Sequence, residues 1–112
     1  MQTVIHQALH ELHLSGTYRG FRQLAIAVEL VLEDENRLFS VIREIYYPVS
    51  LRCGCRIETI ERNIRTVIYH IWRTRRKRLF EMVGYPLEVP PTASELIDIL
   101  AGYVRRTYPV AK

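Results

Sequence analysis

With 112 residues, 48% of them apolar and 25% charged, the chain is long enough for one domain whose core needs neither disulfides nor a structural metal. The net charge of +4 is modest but unevenly placed: Arg52 to Arg78 carries nine basic and two acidic side chains, +7, and the remainder seven basic and ten acidic, −3. That concentration points to a polyanionic partner, while the lack of any apolar run near the ~18 residues of a membrane span, or of a secretion leader, argues against a membrane protein and leads to the expectation of a cytoplasmic one.

In chain order, Val4, Ile5, Ala8, Leu9 and Leu12 predict a first amphipathic helix, with Ser15-Gly16 as its stop. A second helix is predicted from about Gly20 to Leu32, so dense in apolar residues that it should be central. Glu33-Asp34-Glu35-Asn36 breaks the pattern and offers cap residues. A third helix should follow with Leu38, Val41, Ile42, Ile45 and Tyr46 facing inward, bent or interrupted at Pro48. Gly54 is the expected bend before the next helix, which gives the order helix, glycine turn, helix.

Ile57, Ile60, Ile64, Val67, Ile68, Ile71 and Trp72 recur at steps of three and four, one side of a helix over 57–73. Its other side carries Glu58, Thr59, Glu61, Arg62, Arg65, Thr66, Tyr69 and Arg73. Arg62 and Arg65 are a turn apart, so both guanidinium groups leave one outward face. Such a face suits the reading of base edges in a DNA major groove; by pattern alone it suits a solvated surface equally. The following run, Arg73 to Arg78, places five cations in six positions. Their mutual repulsion is relieved best by phosphate, which favours backbone contact over a merely solubilising role.

Leu79, Phe80, Met82 and Val83 form a short apolar cluster closed by Gly84-Tyr85-Pro86. Pro86 to Pro91 reads as an extended connection, and Thr92 or Ser94 should cap a last helix bearing Leu96, Ile97, Leu100, Ala101 and Val104. Arg105, Arg106 and the tail are expected in solvent. The predicted fold is all-α, five to six helices in a single domain over 1–112, with a helix-turn-helix at about 38–73.

Other chemistry finds little support. His6, His10 and His13 repeat at four and three, but with no cysteine nearby they read as surface or helix-end histidines and not as a metal site. Cys53 and Cys55 are too close in sequence for ordinary disulfide geometry and are expected reduced, with a redox switch at the turn a lesser alternative. The serines have no evident base and there is no glycine-rich phosphate loop, so no enzyme, cofactor or metal is expected.

These residues carry a resemblance. His10-Glu11, Arg19-Gly20-Phe21, Leu38 to Tyr46, Ile60-Glu61-Arg62 with Ile64-Arg65 and Trp72, Gly84-Tyr85, and Pro91-Thr92 with Ser94-Glu95-Leu96-Ile97 are similar in order and spacing to the C-terminal DNA-binding effector domain of the sporulation initiation response regulators, the stage zero sporulation protein A family. The resemblance implies a helical fold unrelated to the winged helix, and promoter DNA binding with activation or repression of transcription. It also implies that Glu61, Arg62 and Arg65 enter the major groove. The chain departs from the family pattern at Thr66, where a His is usual, at Leu51-Arg52, where two Lys are usual, and at Gly54-Cys55-Arg56, where Asn-Thr-Thr is common and supplies a hydroxyl cap. The family's segment after the recognition helix is associated with the polymerase sigma subunit; here it is the basic run. The family's receiver domain is not expected within these 112 residues.

The expectation is therefore a sequence-specific DNA-binding regulator. Glu61, Arg62, Arg65 and Thr66 should read bases, and Arg52, Arg56, Tyr69, Arg73, Arg75, Arg76, Lys77 and Arg78 should hold phosphates, with dimerisation on DNA and the sigma subunit as a further partner. About six phosphate contacts would give a log–log salt slope near −5. The alternative is a protein-interaction module of the same fold that binds an acidic partner or a polymerase subunit without reading DNA specifically.

Overall fold

The structure, a computed structural model, describes residues 2–108. Six α-helices follow in order: α1 (Gln2–Glu11), α2 (Arg19–Glu33), α3 (Tyr47–Cys53), α4 (Ile57–Thr74), α5 (Arg76–Val83) and α6 (Ala93–Thr107). A 3-10 segment, Glu35–Ser40, and a π-helical one, Ile42–Tyr46, lead into α3. Among the described residues there is no strand, so the all-α expectation holds.

The apolar density of α2 has the predicted consequence. It is buried from Gln23 to Val28 without interruption and packs on α1, α4 and α6 as well as on the segment leading to α3. Its approach to α4 is close because Gly20 has no side chain: a Cβ there would lie 2.9 Å from the carbonyl oxygen of Asn63 and 2.9 Å from Val67 Cγ2. One polar residue is buried in α2, Gln23, and both ends of its amide are used. Asn63 Nδ2 donates to its Oε1 at 3.1 Å, and its Nε2 donates to Cys55 Sγ at 3.5 Å. The central helix, the turn and α4 are thus joined by side-chain bonds within the packing.

Several local expectations are corrected. The first helix stops at His13 rather than at Ser15-Gly16: His13 takes a left-handed φ of 60°, and Leu14 N–H reaches back to the Leu9 carbonyl at 3.2 Å, a Schellman-type closure that a histidine can make. His6 and His10 both lie against the Phe21 ring, at centroid separations of 5.0 and 5.7 Å. Ile42, expected inside, is exposed. The interruption expected at Pro48 is present, as a π turn rather than a break. The backbone widens into a π turn, with Tyr47 N–H bonding to the Ile42 carbonyl, and runs on into α3. Proline cannot donate to the carbonyl four residues back, and that orphan, Glu44 O, instead accepts Arg37 Nη1 at 2.8 Å. The extra residue in the turn rotates Ile42 outward and Ile45 and Tyr46 inward, which a plain helical period could not anticipate.

The C-terminal half closes as its sequence indicates. Gly84 ends α5 at a φ of 101°, and Thr92 caps α6 in a full capping box with Glu95. The last four residues, part of the expected solvent tail, lie outside the described residues.

Candidate nucleic-acid interface

The turn that presents α4 is built by Gly54. Its left-handed φ of 64° lets the chain reverse after α3, with Cys55 N–H bonding back to the Ser50 carbonyl at 3.2 Å. No side chain caps α4. Its free N–H groups are compensated by Glu58 in the first turn, whose carboxylate is held below its usual range by its own backbone N–H and by Arg56, 2.7 Å away. Cys53 and Cys55 are both free thiols, and burial pushes the Cys53 thiol upward, away from the reactive thiolate.

On α4 the inner face is Ile60, Ile64, Val67, Ile68 and Ile71, all buried, with Ile57 and Trp72 half-buried. The outer face carries Arg62, Arg65, Thr66, Tyr69 and Arg73, all exposed. With 3.6 residues per turn, Arg62, Tyr69 and Arg73 occupy its midline. Arg65 and half-buried Glu61 lie on one flank and Thr66 on the other. Among the described residues neither Arg62 nor Arg65 has an ion pair or a side-chain hydrogen bond. Thr66 is less free, since its hydroxyl donates to the Arg62 carbonyl at 3.0 Å. It borders a shallow groove with Tyr18, Gly20 and Asn63, apart from Glu61 and Arg65.

The basic run does not stay together. Thr74 ends α4, Arg75 forms the corner, and Arg76 begins α5. Arg73 lies over the Tyr69 ring at 5.5 Å, Arg76 over Trp72 at 4.4 Å, and Lys77 is exposed. Arg75 and Arg78, expected among the solvent-facing cations, point into the fold. Arg75 Nη2 donates to the Glu11 carbonyl at 3.0 Å. Arg78 is bonded to the Glu11 carboxylate, to Glu81 at 2.8 Å and to the Tyr103 hydroxyl at 2.8 Å. Glu11 further accepts from Tyr103 at 2.7 Å and Tyr108 at 3.2 Å. Partial burial alone would raise the Glu11 carboxyl, but the bonds from Arg78, Tyr103 and Tyr108 together hold it below its usual range, and the Arg78 guanidinium is pushed further up. A run of like charges hides this division because sequence spacing does not reveal which cations meet a carboxylate 67 residues away.

Two further cations flank the turn: Arg52 lies 3.7 Å from Glu29 of α2, and Arg56 pairs with Glu58. The flank of α4 that carries Glu61 and Arg65 also walls a half-open cavity of about 540 Å³, closed by Tyr46, Trp72 and the prolines Pro90 and Pro91. Tyr46, expected only as an inward-facing residue, is 5% exposed; burial pushes its hydroxyl up, Glu61 adds to that and Arg65 opposes it. Its contribution to a site could not be read from periodicity, which gives the facing of a residue and not what faces it.

The model of the family described as "Sporulation initiation factor Spo0A C terminal" matches residues 5–104, from α1 into the last turn of α6. The chain belongs to this family. The family resemblance read from the sequence therefore holds across the fold. The Spo0A C-terminal family is a helical DNA-binding effector domain of a sporulation regulator and not a catalytic one. DNA is thus the partner class of the fold, and among the described residues no helix is long and apolar enough to cross a membrane.

Proposed function

We propose that the chain is a sequence-specific, promoter-binding transcription regulator that places α4 in the major groove. The observation that carries this reading is the pair Arg62 and Arg65: exposed, unpaired and a turn apart on a helix whose opposite face is fully anchored. Arginine donates two hydrogen bonds to guanine and glutamate accepts from cytosine, which gives Arg62, Arg65 and Glu61 the base-reading roles and leaves Thr66 a methyl contact at the edge. Arg52, Arg56, Tyr69, Arg73, Arg76 and Lys77 are assigned to phosphates. Arg76 and Lys77 sit in the first turn of α5, where the helix dipole disfavours cations, an arrangement that a bound anion relieves. Arg75 and Arg78 are assigned to the fold. Paired half-sites would be filled by two copies of the chain, each contributing one α4, in the cytoplasm and within reach of the polymerase sigma subunit.

A protein-interaction module is the second reading. It is favoured by the apolar group Phe39, Ile42, Tyr47 and Leu51, exposed along the segment leading into the turn; Phe39 alone is 89% exposed. Selecting bound sequences from a random duplex pool, then titrating the selected and a scrambled duplex at two salt concentrations, separates the two. Enrichment of a motif with tighter, salt-sensitive binding supports DNA reading; weak binding blind to sequence supports the interaction module.

A further inference from the structure

The cavity on the flank of α4 has features that an accidental crevice lacks. Its volume of about 540 Å³ lies within the roughly 300–1,000 Å³ of small-molecule sites. Its floor is apolar, from Ile68, Trp72, Pro90, Pro91 and Ala93. Its polar groups are few and convergent. Tyr46 is only 5% exposed, and its hydroxyl has no hydrogen-bond partner among the described residues, yet the oxygen is not sealed off. A buried hydroxyl in that condition opens onto the cavity it lines and lacks the partner that such a group ordinarily has. Arg65 and Arg73 stand at the wall against a single acid, Glu61, so the local balance is positive.

We propose that this cavity binds a small amphipathic carboxylate, hydrocarbon end on Trp72 and the prolines, acid end between Tyr46 hydroxyl and the Arg65 and Arg73 guanidinium groups, and that its occupation opposes DNA binding. An apolar floor alone would accept any hydrocarbon; two cations and an unmet hydroxyl select an anion. Arg65 can serve the ligand or a base, and not both, so the second half of the proposal rests on the DNA-reading role given to α4. The first half stands without it.

The test uses the whole chain and the fact that Trp72 is its one tryptophan, which makes intrinsic fluorescence a direct reporter of occupancy. Cyclohexylacetate is titrated against its neutral counterpart cyclohexylacetamide, first without DNA. The expected result is a saturable change for the acid, with affinity about tenfold above that of the amide, the size of one charge-assisted hydrogen bond. Tyr46→Phe, which keeps the ring in the core, is expected to weaken the acid more than the amide, because the bond lost is charge-assisted only for the acid. Ala93→Leu fills the floor from α6 and is expected to abolish both responses. No saturable response, equal affinity for acid and amide, or an undiminished response in Ala93→Leu overturns the site. With a selected duplex present, saturating cyclohexylacetate is expected to weaken DNA binding of the wild type and not of Ala93→Leu; unchanged affinity in the wild type overturns the competition. A chain that binds no duplex even without the acid refutes the DNA reading, while the fluorescence titration still judges the cavity.

Discussion

Asn63 of the presented helix donates to Gln23 of the central helix at 3.1 Å, three residues from the point where Gly20 lets the two backbones meet. This joint sets the angle at which α4 leaves the core. In most helices glycine to alanine stabilises by up to ~1 kcal/mol. Here the sign should reverse, because the new methyl meets the Asn63 carbonyl, which is backbone and cannot swing aside. Gly20→Ala is expected to destabilise by about 1–3 kcal/mol in urea unfolding followed by circular dichroism. A gain in stability would show that α2 and α4 are free to slide.

Arg62→Ala should cost about 1–3 kcal/mol on the selected duplex and relax preference at one base pair. Lys77→Ala should weaken selected and scrambled duplexes alike. With Arg52, Arg56, Arg73, Arg76 and Lys77 as phosphate contacts, the log–log salt slope is expected near about −4.5, falling by about one in Lys77→Ala. Anisotropy titrations across a salt series read all three. Equal losses on both duplexes for Arg62→Ala would remove it from base reading.

Arg78→Met is expected to do the opposite of Lys77→Ala: leave the salt slope at the wild-type value and lower stability by about 1–3 kcal/mol. Its pH dependence is diagnostic. The folded Glu11 carboxyl lies below its ordinary value, so its contribution is fully present above the ordinary carboxylate range and is lost as pH falls through the depressed folded value. Unfolding free energies measured from neutral to acid pH should therefore drop more steeply in the wild type than in Arg78→Met. Parallel profiles would place the acid sensitivity elsewhere.

Arg37→Ala tests the proline accommodation. It withdraws the donor from the Glu44 carbonyl, which Pro48 cannot serve, and is expected to destabilise by about 0.5–1.5 kcal/mol. Pro48→Ala in the Arg37→Ala background restores an N–H at the right position, and recovery of the loss in thermal unfolding is the expected outcome.

What the sequence revealed and what it hid divide along a physical line. The burial of α2, the two faces of α4 and the glycine reversal at Gly54 follow from periodicity and from φ preferences, which are local. Ile42 departs from the helical spacing because a π turn shifts the phase by one residue, and the cause is a proline whose remedy lies eleven residues upstream in Arg37. Arg75 and Arg78 were indistinguishable from Arg76 and Lys77 because only the docking of α1 and α6 provides their acceptors. Tyr46 read as core from its spacing; that its hydroxyl opens onto a cavity depends on Pro90 and Pro91, brought there by the whole fold.

The carboxylate of Glu11 meets Tyr103 and Tyr108, 92 and 97 residues further along the chain. Residues 103 and 108 must therefore have left the ribosome before α1 finds these bonds. Until then α1 lacks its partners on α6 and has only α2 and, later, Arg75 and Arg78 to rest on, and loop closure over such a span is entropically slow. Nascent chains arrested shortly before residue 103 should keep the acidic end of α1 exposed to protease, and those arrested well beyond residue 108 should protect it.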